Sequence, residues 1–134
     1  MTRRLALLFP AVLVSGLSQN EDRAEVLGLV SPLASALSNG DVDAFLRHIP
    51  DDSPNRTQLA RNIRGLLGQA EITSSVQLKN LEKGRAELDW YMEIRSRATQ
   101  SVMERRKQPV IVTIRNGAIF SLEPVDFFKP AEVR

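Results

Sequence analysis

The chain has no cysteine and a single histidine among its 134 residues. Without cysteine it forms no disulfide and offers no site for lipoprotein acylation, so we expect a protein that is insensitive to thiol redox. Zinc sites are built from clustered nitrogen and sulfur ligands, and one histidine cannot supply them. A glycine-rich phosphate loop and a G-x-S-x-G nucleophile motif are also missing. The sequence therefore implies no metal and no cofactor.

The N-terminus has the layout of a secretory signal peptide. Arg3 and Arg4 form a short basic region, and residues 5–17 (LALLFPAVLVSGL) are uncharged and mostly apolar. Polar residues 19–22 follow, as in cleavable leaders. The apolar run is shorter than the roughly 20 residues that a transmembrane helix needs. The pattern therefore predicts export rather than membrane insertion.

Two small residues mark the end of this leader. We expect cleavage after Ser18, with Gly16 as the second choice. Residues 1–18 then form the signal peptide, and residues 19–134 form a single domain in the periplasm or the extracellular space, with no membrane contact after cleavage. The leader holds two of the 18 basic residues and none of the 16 acidic ones, so the mature chain has a net charge of zero. Nucleic-acid binding needs clustered positive charge, and we expect none.

Apolar residues recur at helical spacing in three segments of the first half. In the first segment Pro32 either kinks the helix or starts a second one, and Gly40 supplies the positive φ that ends it. Asp41 is placed to cap a short second helix. Ser53 opens the third helix, and Gly68 closes it.

From residue 72 onward the period of the apolar residues changes to two, which is typical of half-buried strands. The clearest alternation lies in residues 86–94, where every second side chain is apolar: Ala86, Leu88, Trp90, Met92 and Ile94. Pro109 predicts a bulge or an edge position in the third strand. Asn116 and Gly117 predict a type I′ hairpin turn before the fourth. The sequence thus predicts an α+β fold with three N-terminal helices and about four mostly antiparallel strands.

The last hairpin is apolar on both faces. With a two-residue loop, the residues on one face are Ile111, Thr113, Phe120 and Leu122. Those on the other face are Val110, Val112, Ile114 and Ile119. The helices can cover only one face. We expect the second set to lie on the outer sheet face and to form a homodimer interface, or to be covered by the C-terminal tail with Val125, Phe127 and Phe128.

The order of these elements resembles the nuclear transport factor 2-like superfamily, which includes ketosteroid-isomerase-like and SnoaL-like branches. The resemblance covers residues 22–128 and is carried by ALSNGDVDAFLRHI, LARNIRGLLG, RAELDWYMEI and VIVTIRNGAIFSLEP. It implies that a strongly curved sheet holds the three helices in its concave face, as a cone with a pocket at the wide end. Many members dimerise through the outer sheet face. Members include enzymes, adaptors and proteins of unknown role, so the fold does not give the function.

Three residues are candidates for a catalytic acid or base: His48, Asp89 and Tyr91. His48 lies at the border of the apolar stripe of the second helix, where a surface position is the alternative interpretation. Alternation along the second strand sends Asp89 and Tyr91 outward, and the inward register contains no ionisable group. An isomerase or dehydratase needs such a group inside its pocket. The pattern therefore favours binding over catalysis.

Five apolar residues either line a ligand pocket or fill the core: Phe45, Leu67, Trp90, Met92 and Phe120. The favoured hypothesis is an exported domain that binds a partner or a small apolar ligand without catalysis. The alternative is a small-molecule isomerase, dehydratase or cyclase in which His48 or Asp89 is the base. The basic run Arg105-Arg106-Lys107 either binds an anion, a polysaccharide or a lipid headgroup, or is a solvated strand edge whose charges prevent edge pairing.

Overall fold

The computed structural model describes residues 22–132, so the predicted signal peptide and its cleavage sites lie outside the described residues. The helices are α1 (residues 22–39), α2 (Val42–Arg47) and α3 (Arg56–Gln69). Four strands follow: β1 (Ala70–Glu82), β2 (Arg85–Ser96), β3 (Val102–Arg115) and β4 (Ala118–Glu123). A short 3₁₀ helix, Val125–Phe128, ends the described fold. None of the helices within residues 22–132 is long and apolar enough to cross a bilayer.

The helix boundaries largely follow the sequence signals. Gly40 has a φ of 69° and ends α1, and the Asp41 carboxylate accepts a hydrogen bond of 3.0 Å from the amide of Ala44 at the start of α2. Helix α1 continues through Pro32 without a break. Helix α3 begins at Arg56, later than predicted, after Asn55 in the left-handed region. The predicted order of three helices before the strands is confirmed.

The four strands form one antiparallel sheet in the order β1-β2-β3-β4. The inward register predicted for β2 is confirmed, because all five of its members are 0% exposed: Ala86, Leu88, Trp90, Met92 and Ile94. Helix α1 faces them with Val30, Leu33 and Leu37, which are also 0% exposed. One apolar core thus lies between the helices and the concave face of the sheet, and the predicted α+β class is confirmed.

Each pair of neighbouring strands contains one register shift. The shifts leave Lys79, Met103 and Phe120 as extra residues in β1, β3 and β4. Such bulges increase the local twist and bend the strand, which curves the sheet around the helices. Pro109 does not cause a bulge. It lies at an edge position, the predicted alternative, because β4 has already ended at Glu123 and no strand within residues 22–132 pairs with β3 on that side.

The prediction that four hairpin residues lie on the outer face is wrong. Val110 and Val112 lie opposite Leu88 and Ala86 of β2, and directly opposed residues share a face of the sheet. Val110 and Val112 are 0% exposed, Ile119 is 4% exposed, and Ile114 is half-buried against the same core. The hairpin alone left its two faces equivalent, whereas the register between β2 and β3 decides which one points inward. Leu122, predicted on the opposite face from Val112, lies opposite Val112 and is 1% exposed, because the bulge at Phe120 shifts the register. The homodimer itself stays a prediction, without these residues as its interface.

Candidate functional site

The interior of the cone holds a cluster of four aromatic rings. Phe45 of α2 and Trp90 of β2 lie 5.7 and 5.2 Å from the ring of Phe128, and both contacts are edge-to-face. Phe127 lies 5.2 Å from Phe128 and 6.2 Å from Trp90. Edge-to-face aromatic pairs at these distances are favourable beyond the apolar area they bury. The 3₁₀ helix therefore fills the space beside Trp90 with its own side chains.

Four of the five predicted ligand-binding residues lie in this buried core. Phe45, Trp90 and Met92 are 0% exposed and Leu67 is 3% exposed. Phe120 lies apart from them, half-buried under the guanidinium of Arg115, which is 3.8 Å from its ring centre. The indole nitrogen of Trp90 donates to the Ser74 hydroxyl at 2.7 Å, so this polar atom is satisfied without a ligand.

Residues 124–132, here called the C-terminal segment, are held by hydrogen bonds from side chains of α3 and β3. The Arg106 guanidinium donates from Nη1 to the carbonyls of Phe127 and Lys129, at 2.8 and 2.6 Å. The Asn62 amide donates to the carbonyl of Val125 at 2.9 Å. These bonds hold the main chain of the segment while its phenylalanines enter the core.

Gln69, the last residue of α3, forms two hydrogen bonds with one residue of the segment. Its side-chain nitrogen donates to the carbonyl of Ala131 at 2.7 Å, and its side-chain oxygen accepts from the amide of Ala131 at 2.9 Å. Next to this pair Pro130 packs against Gly65 so closely that a β-carbon at position 65 would lie 2.7 Å from its Cγ. No sequence pattern predicted that Asn62, Gln69 and Arg106 bind the segment. Only the apolar pair Phe127-Phe128 indicated that the tail packs against the rest of the domain.

The three candidate catalytic residues lie outside the cone interior and are not brought together. His48 is exposed at the end of α2. Asp89 points to the outer face, where its carboxylate lies 3.5 Å from the ammonium of Lys107. The Tyr91 hydroxyl, on the same face, donates to the Glu93 carboxylate at 3.4 Å. Among residues 22–132 the buried polar or charged side chains are Ser53, Asn62 and Ser121.

The basic run of β3 is paired with carboxylates. Arg105 lies 3.2 Å from Glu93, which also contacts Arg95 at 2.9 Å. Burial raises the pKa of Glu93, but the hydrogen bonds and charges of Arg105 and Arg95 outweigh it, and the pKa is lowered overall. Arg106 points to the other face, where Glu104 accepts hydrogen bonds from its Nε and Nη2 at 2.7 and 3.1 Å. Arg105 and Lys107, 61% and 68% exposed, fit the interpretation of a solvated strand edge, whereas the Arg106 side chain is only 8% exposed and does not.

Glu104 orients the guanidinium that holds the C-terminal segment. The hydrogen bond from Arg106 lowers the pKa of Glu104 below its ordinary value, and burial opposes this only in part. A carboxyl group whose pKa is lowered by folding stabilises the folded state above its unfolded-state pKa, about 4.3 for glutamate. That contribution is lost as the pH falls through the lower, folded-state pKa.

We therefore expect Glu104→Gln to lower the free energy of unfolding at pH 7. The difference from wild type should shrink to zero in acid, once the wild-type carboxyl is protonated and resembles the amide. Urea unfolding of both proteins between pH 7 and pH 2 measures this. Glu87→Gln is the control, because Glu87 lies on the neighbouring strand and forms no ion pair within residues 22–132. If the difference in unfolding free energy between Glu104→Gln and wild type does not depend on pH, the charge of Glu104 does not stabilise the fold and the prediction is wrong.

An open groove lies between the start of α1 and the β1–β2 hairpin. It has a volume of about 650 Å³. Its apolar lining residues are Val26, Leu29, Leu81 and Ile114. Its charged lining residues are Asp22, Arg23, Glu25, Glu82 and Lys83. The volume falls within the range of about 300–1,000 Å³ that is usual for small-molecule sites, and an apolar floor with a few polar groups is their usual composition. The sequence did not indicate this groove, because α1 and the hairpin are distant along the chain.

No group of three or more histidine, aspartate or glutamate side chains within residues 22–132 is arranged to hold a metal ion. Neither a protein-family model nor a curated protein matches the chain.

Solved structures match it clearly. A candidate polyketide cyclase from Xanthomonas campestris pv. campestris is 17% identical, with a TM-score of 0.60 over 75% of this chain and 88% of that one. The Δ5-3-ketosteroid isomerase from Mycobacterium sp. is 13% identical, with a TM-score of 0.59 over 73% of this chain and 89% of that one. A protein of unknown function with a cystatin-like fold from Nostoc punctiforme is 15% identical, with a TM-score of 0.54 over 78% of this chain and 92% of that one.

At these identities the likeness establishes the fold alone, which is the cone shared by ketosteroid-isomerase-like and cystatin-like proteins. The resemblance predicted from the sequence is confirmed at this level. Proteins of this fold include enzymes and proteins of unknown function. The fold alone therefore does not determine the activity of this chain.

Proposed function

We propose that this chain is an exported binding domain that takes a small, partly apolar ligand in the groove between α1 and the β1–β2 hairpin. The proposal rests on one contrast: side chains fill the interior of the cone, whereas the groove is open to solvent. Phe127 and Phe128 occupy the cone beside Trp90, whereas the groove keeps about 650 Å³ between its walls. Binding energy is available where apolar surface is concave and still accessible.

The placement of the candidate acids and bases supports binding rather than catalysis. A general base must come within hydrogen-bond reach of the proton that it removes, in a site that tunes its pKa. His48 is exposed on α2, and Asp89 faces Lys107 on the outer surface of the sheet. Neither residue lines the groove. The solved structures that share the fold include an isomerase. At 13% identity this likeness does not imply the same activity for this chain.

Export is part of the same proposal, and it is supported by the leader in the sequence. The basic residues Arg3 and Arg4 followed by the short apolar run of residues 5–17 are the features that a secretion pathway recognises. The working protein is then residues 19–134 in the periplasm or the extracellular space. The intact mass of the protein recovered from that compartment checks the cut.

The ligand site is tested by native purification and mass spectrometry of the bound small molecules. Leu81→Ser is expected to reduce the amount that co-purifies by about tenfold or more, because one anchoring leucine contributes about 1.5–3 kcal/mol of apolar contact. Leu78→Ser is the matched control: both leucines are half-buried in β1 and pack against the core, but only Leu81 lines the groove. A wild-type protein without bound small molecules, or equal losses in the two variants, would overturn the assignment.

A further inference from the structure

The sheet has two edges, and the chain protects one of them from pairing with another strand. Strand β4 is six residues long and ends before Pro124. Beyond its end, β3 continues this edge with Arg105, Lys107 and Pro109. Short strands, charged side chains and proline are the features that prevent edge pairing. Strand β1 forms the other edge with 13 residues, and its residues 72–78 (ITSSVQL) contain no charge and no proline.

The main chain of β1 is accessible along this edge. The Ser74 amide donates to the Ser38 hydroxyl of α1 at 3.2 Å. Since β1 pairs with β2 through alternate residues, the even-numbered residues of 72–78 direct their N–H and C=O groups to the free edge, as Ser74 does. Ser31, Ser35 and Ser38 line an open cleft of about 350 Å³ beside residues 74–76. Another strand therefore has room at this edge, and its carbonyl can replace the Ser38 hydroxyl as the acceptor.

The sequence of β1 is complementary to itself on the inner face of the sheet. When two copies of β1 pair antiparallel about a two-fold axis at Ser75, Ile72 lies opposite Leu78 of the second copy, and Ser74 lies opposite Val76. Directly opposed residues share a face, so apolar residues meet at the border of the two cores. Val76 and Leu78 are half-buried, and the second strand covers the part of them that is exposed at the edge. Each of these opposed pairs exchanges two main-chain hydrogen bonds.

The charges of β1 are complementary in the same register. Glu71 and Lys79 are exposed, and neither forms an ion pair within residues 22–132. With the axis at Ser75, Glu71 of each copy lies opposite Lys79 of the other, which favours the pairing. The nearest alternative registers that keep the two faces matched place Glu71 opposite Gln77 or Leu81 instead. Charge complementarity therefore selects one register and one occupant of the edge, a second copy of the chain.

We propose that residues 71–79 of β1 form a homodimer interface by antiparallel pairing with the same residues of a second copy, so that the two sheets join into one. The interface is isologous, because the two-fold axis gives both copies the same contacts. It does not use Val110 and Val112, which are buried in the core. Residues 72–78 do not line the groove between α1 and the β1–β2 hairpin, so the dimer leaves the proposed ligand site open.

Sedimentation and cross-linking of the mature chain test the interface. The wild type should sediment as a dimer, and a monomer at about 100 µM would overturn the proposal. The chain has no cysteine, so Ser75→Cys introduces a single thiol at the two-fold axis. Opposed residues of such a non-hydrogen-bonded pair have Cα atoms about 4.5 Å apart, within the range that a disulfide spans. Mild oxidation should therefore convert most of the Ser75→Cys chain to a covalent dimer.

Gln77→Cys is the matched control, because Gln77 and Ser75 are both exposed on the same face of β1. In the proposed register Gln77 lies opposite Thr73, so the two thiols would be roughly 13 Å apart and should not cross-link. Equal cross-linking of the two variants, or none for Ser75→Cys, would overturn the proposal. A dimer that forms without the Ser75→Cys disulfide would have to use another surface of the chain.

A charge exchange tests the register independently of cysteine chemistry. Glu71→Lys and Lys79→Glu should each raise the dimer Kd by about tenfold or more, because either change turns two opposite-charge pairs of the dimer into like-charge pairs. The double variant should return the Kd to near the wild-type value. Glu123→Lys, the same change at the exposed end of β4, should leave the Kd unchanged. A double variant that dimerises no better than the single variants would overturn the proposed pairing.

Discussion

Gly65→Ala is expected to destabilise the protein, whereas Gly68→Ala, one helical turn further along α3, is expected to stabilise it. Alanine has the higher helix propensity, so each change on its own favours the helix by up to about 1 kcal/mol. At position 65 the new methyl group would lie 2.7 Å from Cγ of Pro130, and the rigid proline ring cannot rotate away. At position 68 nothing lies within 4 Å of the new carbon.

The clash at position 65 should cost about 1–3 kcal/mol, which is usual for overpacking, and outweigh the gain in propensity. Urea unfolding of the two variants and of wild type measures the difference. Amide exchange at Ala131 should accelerate in Gly65→Ala and stay unchanged in Gly68→Ala. If both alanines stabilise the protein equally, the C-terminal segment does not pack on α3 as described.

Phe128→Ala is expected to lower the free energy of unfolding by about 3–5 kcal/mol, the usual range for truncating a buried phenylalanine. Phe128 is 0% exposed and lies at the centre of the aromatic cluster, in edge-to-face contact with Phe45, Trp90 and Phe127. Its removal leaves a cavity that the surrounding rings cannot close without leaving their positions. Chemical denaturation with Trp90 fluorescence as the signal measures the loss.

Phe120→Ala removes the same side chain from a half-buried position and should cost only about 1 kcal/mol. Phe120 packs under the guanidinium of Arg115, and cation–π contacts at exposed sites contribute about 0.5–1 kcal/mol. If the two variants lose the same free energy of unfolding, Phe128 of the C-terminal segment contributes no more to stability than the half-buried Phe120 of the hairpin.

The cone of this chain is filled by the protein's own side chains. Its curved sheet and helices enclose a space whose contents are decided by a few side chains. In this chain the sheet contributes Trp90 and Met92, and the C-terminal segment contributes Phe127 and Phe128. No carboxylate of the described residues is buried among them. The filled interior agrees with the proposal that a ligand binds at the groove between α1 and the β1–β2 hairpin.

Local patterns predicted the secondary structure well, because each signal depends on neighbours in the sequence. The alternation in β2 needs only the period of a strand, and the turn at Asn116 and Gly117 needs only residues that tolerate positive φ; both have it, at 54° and 75°. The cap of Asp41 on α2 is likewise local. The candidate site was harder to predict. Asn62, Gln69 and Arg106 resemble ordinary surface residues in the sequence, and no local pattern links them to the C-terminal segment.

The sequence by itself determined the elements, their order and the inward register of β2, since helix and strand periods and turn residues act over a few positions. The tertiary structure decided which face of the last hairpin is buried, because a hairpin with two apolar faces acquires an inside only when β2 pairs with Val110 and Val112. It also decided that the cone is filled, because Phe127 and Phe128 meet Trp90 across more than thirty positions of chain. Contacts at that separation depend on the path of the whole backbone, and no local pattern encodes them.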